Sequence, residues 1–537
     1  MNLDLRNQRI LVVDDFPEMR SMMKKMAVAF RASDVDDAKN GEDALKLLAK
    51  KKYDIVLCDY NLGDGKDGQN ILEEAKFKQY INYGTIFMLI TAENTMKMVM
   101  GAMEYVPDGY LTKPFTKAEF ASRLEKVQQR KANFKDIEKA MQRNDYQTAL
   151  NACDEKLAEN PPNVVDLLKT KGDILEKLGQ HEAAETLYQS ILDKREVAWA
   201  QMGLARSKFN LKQYEDCKFI LNEILQENEH FVEAYDWLAK VQEAQGDYEE
   251  AQLNLKKAIE ISPKAILRQK NLGRVAYKNN DLETAESSYK HAVKLGKTSC
   301  FKDPSDYTGL SKVYLDKGSP DDALKLVGDV KKEFENDNNA NFQTAVMEGM
   351  IHQKQGNEEL ANQAIEKANG LFSHLQDSVP TESVMDLAKT CFASGNDDVG
   401  EELAKYIVRN HHEDDAVLAQ TQALFDEFDK ADAGQDLIKS TKQEVIDINN
   451  RGVKLTKEGK LEDAIDFFEK AAVGMPENKT VNLNAAQSLI MFMQKEGKKD
   501  SLLRKTGKYL ERVNKIDPSD EKYQKLKSFY VKMATGR

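Results

Sequence analysis

The 537-residue sequence contains no run of roughly 18 apolar residues, the length that would indicate a membrane-spanning helix. Its first residues, MNLDLRNQRI, lack the apolar segment of a secretory signal peptide, so we expect a cytoplasmic protein. Lys and Arg total 78 against 90 Asp and Glu, and they form no concentrated basic block. The net charge of −12 therefore argues against nucleic acid as a partner, and the missing apolar run argues against a membrane.

Cysteine is also scarce, and its placement argues against a metal knuckle. The five cysteines are odd in number, and no two lie close enough in sequence to form a metal knuckle. They are Cys58, Cys153, Cys217, Cys300 and Cys391. We expect free, buried thiols in a reducing compartment. Because the chain is too long for one ordinary core, we also expect at least two domains.

The first quarter of the chain alternates short apolar runs with amphipathic stretches. The runs at residues 9–14, 55–59, 85–91 and 109–111 predict buried parallel strands, and 32–38 is a poorer candidate for a second strand. The stretches between them predict helices at residues 17–30, 41–51, 68–78, 95–103 and 117–129. This alternation predicts a doubly wound α/β sheet.

After about residue 133 the strand-like runs stop and helix pairs repeat. Small residues recur at intervals of 33, 34 and 34, at Ala184, Cys217, Ala251 and Ala285. Twelve residues before these lie Gly172, Ala205, Ala239 and Gly273, and four residues after them lie Tyr188, Leu221, Leu255 and Tyr289. Small residues allow two helices to approach, while large neighbours fill the groove toward the next pair, so the pattern predicts a stack of hairpins.

The repeats resemble the tetratricopeptide repeat (TPR) family. The clearest copies are residues 235–263, with AYDWLAK and GDYEEA, and 448–476, with GKLEDAIDFFEKA. Further copies start near residues 130, 304, 342 and 381, whereas 416–444 matches poorly, as a degenerate pair or a break in the superhelix. The resemblance implies an all-α TPR superhelix of about nine helix pairs over residues 132–480, followed by capping helices over 481–537.

Polar side chains stand where the predicted strands end. Asp14 and Asp15 end the first strand, Asp59 the third and Thr91 the fourth, while Lys113 follows the fifth. The carboxyl ends of parallel strands meet at one crevice, so these groups should converge. Three adjacent carboxylates repel one another unless a cation intervenes, and Mg²⁺ prefers oxygen ligands. Asp59 is then suited to attack a phosphoryl group, and Lys113 and the metal would neutralise the negative charge of the phosphoryl oxygens.

These segments resemble the response-regulator receiver family through VVDDFPEMR, DIVLCDYNLGDGKDG, LITAE and GYLTKPF. The resemblance implies a flavodoxin-like domain over residues 1–131 with strand order 2-1-3-4-5 and Asp59 as phosphate acceptor. It implies Mg²⁺ held by Asp14, Asp15, Asp59 and the backbone carbonyl of Asn61. It also implies that Thr91 and Tyr110 are switch residues and that the bond before Pro114 is cis.

Together these features predict a two-component response regulator whose phosphorylation controls a TPR adaptor or scaffold that modulates a partner kinase or regulator. The layout resembles that of VieB-type receiver–TPR regulators. Expected partners are a histidine kinase or phosphotransfer protein, a protein bound by the TPR array and, through the family's dimerisation face, a second copy. The protein is not expected to be an enzyme beyond its own phosphoryl uptake and loss. Two alternatives stay open, a phosphate sink that competes for a kinase and a catalytic output hidden near 416–444.

The junction between the two parts predicts mechanical coupling. Residues 117–141 contain neither Pro nor Gly, so the last receiver helix can run directly into the first repeat.

Overall fold

The computed structural model describes residues 3–92, 107–159, 161, 163–375 and 379–535. Contacts divide the chain into two compact units. The first unit comprises Met1–Leu175 and His181–Asp306, and the second comprises Glu176–Gln180 and Tyr307–Arg537. No helix in the described ranges combines the length and apolar character needed to cross a membrane.

The first unit opens with a five-stranded parallel sheet. Its strands are β1 (Arg9–Val13), β2 (Asp34–Ala38), β3 (Ile55–Asp59), β4 (Ile86–Thr91) and β5 (Gly109–Thr112), in the order β2-β1-β3-β4-β5. The helices beside it are α1 (Pro17–Ala29), α2 (Gly41–Lys50), α3 (Gly68–Phe77) and α4 (Lys117–Gln142). The doubly wound architecture and its strand order are confirmed, while the helix predicted at 95–103 lies outside the described residues.

Side chains of the central strands alternate between two cores, because successive residues of a strand point to opposite faces. Ile10 and Val12 of β1 pack on one face with helices α1 and α4. Leu11 and Val13 pack on the other face with α2 and α3. Every residue of β3 is buried, as expected of a central strand covered on both sides.

The poorly predicted second strand is an acidic edge strand, DVDDA. Lys51 lies 2.7 Å from both Asp34 and Asp36, and the Tyr53 hydroxyl donates to Asp36 at 2.7 Å. The hydrogen bond from Lys51 is the main reason that the pKa of Asp36 is lowered. Charges are tolerated here because an edge strand is half solvated, so neighbouring cations stabilise a sequence with low strand propensity.

Helix α4 joins the sheet domain to the repeats without a break. It starts at a capping box in which Thr116 and Glu119 satisfy each other's backbone N–H groups, and it runs for 26 residues. Its second half buries Phe134 and Ile137, beyond the end of the sheet domain predicted at residue 131. The prediction of a continuous junction helix is therefore confirmed.

The rest of the described chain is helical. The helices are α5 (Tyr146–Ala158), α6 (Val164–Lys177), α7 (His181–Leu192), α8 (Ala198–Asn210), α9 (Tyr214–Glu227), α10 (Val232–Ala244), α11 (Tyr248–Ile261), α12 (Ile266–Lys278), α13 (Leu282–Gly296), α14 (Pro304–Asp316), α15 (Pro320–Glu333), α16 (Asn338–Lys354), α17 (Glu358–Leu375), α18 (Thr381–Ala393), α19 (Asp397–Asn410), α20 (Asp415–Glu427), α21 (Ala431–Lys457), α22 (Leu461–Gly474), α23 (Lys479–Glu496), α24 (Asp500–Ile516) and α25 (Glu521–Thr535).

Close packing of small against large residues holds the hairpins together. A Cβ added to Gly172 would lie 2.2 Å from the Tyr188 hydroxyl oxygen, and one added to Gly273 would lie 3.0 Å from the Tyr289 ring. Both contacts join positions that recur in the sequence repeat. They give the periodicity its physical reason, because an added methyl group would clash with Tyr188 at position 172 and would require the Tyr289 ring to shift at position 273.

The irregular region at 416–444 is a degenerate helix pair, not a break in the helical chain. It consists of α20 and the first part of α21, which continues for 27 residues into the copy predicted at 448. A Cβ on Gly434 would lie 2.6 Å from Phe425. Here the large residue lies on the first helix and the small one on the second, the reverse of Gly172 and Tyr188. This exchange explains why the segment matches the repeat pattern poorly.

Candidate functional site

Three carboxylates meet at the carboxyl ends of two neighbouring strands. Asp14 and Asp15 follow β1, and Asp59 is the last residue of β3. One oxygen from each lies within 4.8 Å of the other two. Asp14 is fully buried and Asp59 is 5% exposed, so water screens their mutual repulsion poorly. The structure thus brings the three predicted acidic residues together.

Lys113 binds two of these carboxylates. Its Nζ lies 2.8 Å from Asp14 Oδ2 and 2.8 Å from Asp59 Oδ2. Burial disfavours the charge of Lys113, but these two hydrogen bonds outweigh it and the lysine pKa is raised. Burial raises the pKa of Asp59 to about 6, and the hydrogen bond from Lys113 limits the rise. At neutral pH, Asp59 is therefore mostly a carboxylate and available as a nucleophile.

The donors at this crevice fit a hard divalent cation. Asp15 Oδ1 is buried and has no hydrogen-bond partner among the described residues. A buried, unsatisfied carboxylate oxygen is costly unless an ion or water completes it. With the other two carboxylates close by, the site offers the oxygen ligands that Mg²⁺ prefers and an excess of negative charge that it would offset.

The remaining predicted residues lie around the same crevice. Thr91, 2% exposed, follows Ile90, which is paired with Asp59 in the sheet. Its carbonyl oxygen accepts a hydrogen bond of 2.7 Å from the backbone N–H of Lys113. The bond between Lys113 and Pro114 is cis. The switch role predicted for Thr91 stays a prediction.

Two further predicted residues lie on the adjoining elements. Tyr110 is half-buried on β5 and packs against the core that α2 and α3 cover. Asn61 is exposed in the loop after β3, where its side chain accepts a hydrogen bond from the Gly63 backbone N–H. The metal role of the Asn61 carbonyl and the switch role of Tyr110 stay predictions.

Arg20 is a site residue that the sequence analysis missed. Its Nη1 donates to the backbone carbonyl oxygens of Asp14 at 2.7 Å and Asp15 at 3.1 Å, and its Nε lies 3.3 Å from Asp37. The guanidinium therefore holds the backbone of the acidic pair. The sequence position of Arg20 could have indicated this role. Arg20 lies one turn into α1, the helix that follows the acidic pair, and a long side chain at that position points back over the preceding turn.

The loop that follows Asp59 is packed closely against its neighbours. We call residues 60–67 the β3–α3 loop. A Cβ on Gly68, the first residue of α3, would lie 2.3 Å from the Asp59 carbonyl oxygen, and one on Gly41 would lie 2.6 Å from the Lys66 carbonyl oxygen. Glycine at position 68 lets α3 lie directly on the backbone of the proposed acceptor, and glycine at position 41 lets α2 lie directly on the loop.

Comparison with known proteins agrees with this geometry. Residues 10–125 match the response regulator receiver domain. The chemotaxis protein CheY-3 of Vibrio cholerae is 31% identical over 125 residues, which cover 23% of this chain and 95% of that protein. The chemotaxis protein CheY of Pseudomonas aeruginosa is 28% identical over 122 residues, covering 23% and 97%. The chain therefore belongs to the response-regulator receiver family.

Two segments of the helical part match a second family. Residues 138–198 and 232–265 both match the tetratricopeptide repeat. Among solved structures, a TPR protein from Parabacteroides merdae aligns over 49% of this chain and 98% of its own, with 17% identity and a TM-score of 0.33. A Francisella response-regulator receiver domain aligns over 23% and 98%, with 27% identity and a TM-score of 0.21. The predicted fusion of a receiver domain with TPR repeats is confirmed by the family matches.

Proposed function

We propose that the protein is a two-component response regulator in which phosphorylation of Asp59 controls a protein-binding TPR array. The observation that carries the proposal is the cluster of Asp14, Asp15 and Asp59 with Lys113 bound across two of them. In this proposal Asp59 is the phosphate acceptor, and a histidine kinase or phosphotransfer protein is the donor. The output is an adaptor or scaffold that modulates a partner protein, as in VieB-type regulators.

The chemistry divides between the chain and a bound Mg²⁺. Mg²⁺ on the three carboxylates, and on the Asn61 carbonyl, would supply positive charge for the phosphoryl oxygens. Lys113 supplies a further positive charge, and the buried walls of the crevice keep its electrostatic interactions strong. The proposal gives the chain no catalytic output beyond its own phosphoryl uptake and loss.

The junction supports an output through the repeats in preference to a simple phosphate sink. Lys131, within α4, donates to the Thr85 carbonyl oxygen at 2.7 Å and forms an ion pair of 2.8 Å with Asp108. These contacts attach α4 to the start of β4 and to the residue before β5, just before α4 enters the repeats. A change in the sheet domain thus has a rigid helix along which to reach the TPR helices.

The direct test is phosphorylation of the full chain by acetyl phosphate in the presence of Mg²⁺, followed by intact-mass spectrometry. We expect one added phosphoryl group on the wild type, none on Asp59→Asn, and normal uptake by Asp64→Asn. Asp64 is the matched control because it is an exposed acid in the same loop. Uptake by Asp59→Asn at the wild-type rate would contradict the assignment of the acceptor.

The output is tested by measuring partner binding and solution shape with and without beryllofluoride, a phosphoryl mimic, and Mg²⁺. A change that is absent from Asp59→Ala supports the adaptor. Insensitivity of both measurements, together with rapid loss of the phosphoryl group, would favour the phosphate sink.

A further inference from the structure

We propose that the TPR array supplies a positioning residue to the receiver site: Lys264 holds the β3–α3 loop in the arrangement that binds Mg²⁺. The contact surface on the repeats, here called the docking edge, consists of Lys264, Thr298, Ser299 and Phe301. These residues belong to the turns before α12 and α14, which lie with the sheet domain in the first compact unit. The inference rests on the proposed role of the Asp59 site.

Lys264 contacts both ends of the β3–α3 loop. Its Nζ lies 3.2 Å from Asp67 Oδ2, at the end of the loop, and 5.3 Å from the ring centroid of Tyr60, at its start. The Asp67 side chain is only 18% exposed, so this ion pair is partly shielded from water. One cation thus joins the first and last residues of the loop, through a hydrogen-bonded ion pair and a cation–π contact.

A second set of hydrogen bonds lies beside the first. Lys66 Nζ donates to the Thr298 carbonyl oxygen and to Glu74 Oε2, both at 2.7 Å. The Ser299 hydroxyl donates to Glu73 Oε2 at 3.2 Å. Glu73 and Glu74 are buried in α3, so these contacts satisfy groups that would be costly to leave unpaired.

An aromatic contact completes the docking edge. The rings of Phe77 and Phe301 meet edge to face, with centroids 5.4 Å apart and planes at 73°. Phe77 remains 60% exposed, so this pair adds less than the hydrogen bonds do. The α3 contacts at positions 73 and 77 are one helical turn apart, which places both on the same side of α3. The repeats therefore contact α3 at its N-cap Asp67, at Glu73 and at its last residue, Phe77.

The β3–α3 loop is connected through hydrogen bonds and close packing to the backbone of Asp59. The Asp67 side chain caps α3 through the Asn70 backbone N–H, and the Gly68 N–H donates to the Tyr60 carbonyl oxygen at 2.8 Å. Gly68 in turn packs on the carbonyl oxygen of Asp59. Asn61, whose carbonyl is the predicted metal ligand, lies between these fixed points. A shift of Asp67 would therefore move the backbone that carries the ligands.

The physical effect is to order the loop before the metal arrives. A loop that the docking edge already holds loses less conformational entropy when Mg²⁺ binds, so the docked form binds the ion more tightly. By linkage, Mg²⁺ must then strengthen docking by the same factor. Occupation of the Asp59 site is thereby communicated to the TPR array through α3, separately from the junction helix α4.

The test uses the full chain and two measurements. Isothermal titration with Mg²⁺ alone gives its dissociation constant, and hydrogen exchange of residues 60–67 in EDTA gives the order of the loop without metal. The variants are Lys264→Ala, Lys264→Arg and Lys264→Glu, with Lys297→Ala as matched control. Lys297 is an exposed lysine in the neighbouring turn. Unchanged exchange in the TPR helices verifies that each variant is folded.

We expect Lys264→Ala to weaken Mg²⁺ binding about two- to fivefold, the loss of a partly shielded ion pair and a cation–π contact. The loop should exchange faster in the same variant. Lys264→Glu should bind Mg²⁺ more weakly still, because the new carboxylate repels Asp67. Lys264→Arg should keep near-wild-type Mg²⁺ affinity and loop exchange. Wild-type Mg²⁺ affinity and wild-type loop exchange in Lys264→Ala and Lys264→Glu would overturn the inference.

The two measurements separate this inference from the proposed function. Failure of the wild type to bind Mg²⁺ would contradict the proposed function. Faster loop exchange in EDTA, confined to Lys264→Ala and Lys264→Glu, would still support the positioning role in that event.

Discussion

Replacing Lys113 with methionine should destabilise the sheet domain by about 3 kcal/mol in the absence of Mg²⁺. The lysine Nζ lies 2.8 Å from both Asp14 and Asp59, which are almost fully buried. Removing one member of a buried ion pair costs about 3–5 kcal/mol, because the remaining charge is left uncompensated. Lys113 is itself 13% exposed, so we expect the lower end of that range.

Mg²⁺ should reverse most of this loss. An ion that binds only the folded state stabilises it by about 2.7 kcal/mol when its free concentration is a hundred times its dissociation constant. In Lys113→Met the ion also supplies the positive charge that the buried carboxylates have lost. The variant should therefore be markedly unstable in EDTA, and in excess Mg²⁺ it should approach the stability that the wild type has in EDTA.

Hydrogen exchange of the β3 amides, Ile55–Asp59, is the suitable assay. This strand is central and buried, so its exchange reports unfolding of the sheet domain, whereas one global transition is not expected of a chain with two units. Lys25→Met is the control because Lys25 is exposed on α1. Protection of β3 within about 0.5 kcal/mol of the wild type in EDTA would refute the electrostatic reasoning.

Three further predictions concern stability. Burial raises the pKa of Glu138 on α4 to about 7 from its ordinary 4.5, so the folded state binds its proton more tightly than the unfolded state does. Its contribution to the free energy of unfolding must therefore fall as pH rises from 4.5 to 7. Glu138→Gln should remove about 1 kcal/mol of that loss, discounted for partial exposure, when the protection of the α4 amides against hydrogen exchange is compared at pH 5.5 and 8. A Cβ on Gly452 would lie 2.3 Å from the Phe468 ring, so Gly452→Ala should cost about 1–3 kcal/mol. Gly328→Ala, in α15 and with no described atom within 4 Å of the added Cβ, should instead stabilise by about 0.5–1 kcal/mol.

Specific outcomes would contradict each of these. If the stabilities of the wild type and of Glu138→Gln depend equally on pH, another group causes the loss of stability as pH rises. Similar stabilities of Gly452→Ala and Gly328→Ala, measured by hydrogen exchange of α21 and α15 respectively, would exclude close packing as the reason for glycine at position 452.

Local patterns predicted much of the receiver fold. The apolar run IVLCD is β3 from Ile55 to Asp59, because a buried strand needs every residue apolar except where it ends. The polar residues at the strand ends then converge, since parallel strands share one direction. The strand at Asp34–Ala38 was harder to predict because its acidic residues depend on Lys51 and Tyr53, which come from outside the strand.

The repeats also contain a segment whose packing the sequence pattern did not predict. A fixed period revealed the hairpins where the small residue lies on the first helix, as at Gly172 and Gly452. It failed at 416–444, where Phe425 and Gly434 exchange these roles. Packing requires only that a small residue face a large one, so the same contact can arise from a sequence that breaks the period.

The sequence by itself determined the two domain types, the acidic cluster with its lysine, and the continuity of the junction helix. All of these depend on short-range periodicity or on positions at the ends of strands. Only the tertiary structure decided that Arg20 holds the acidic pair and that Lys264 lies against Asp67, 197 residues away in the chain. That second contact joins two turns that are far apart in the sequence, and it depends on how the helix pairs between them stack, which no single repeat encodes.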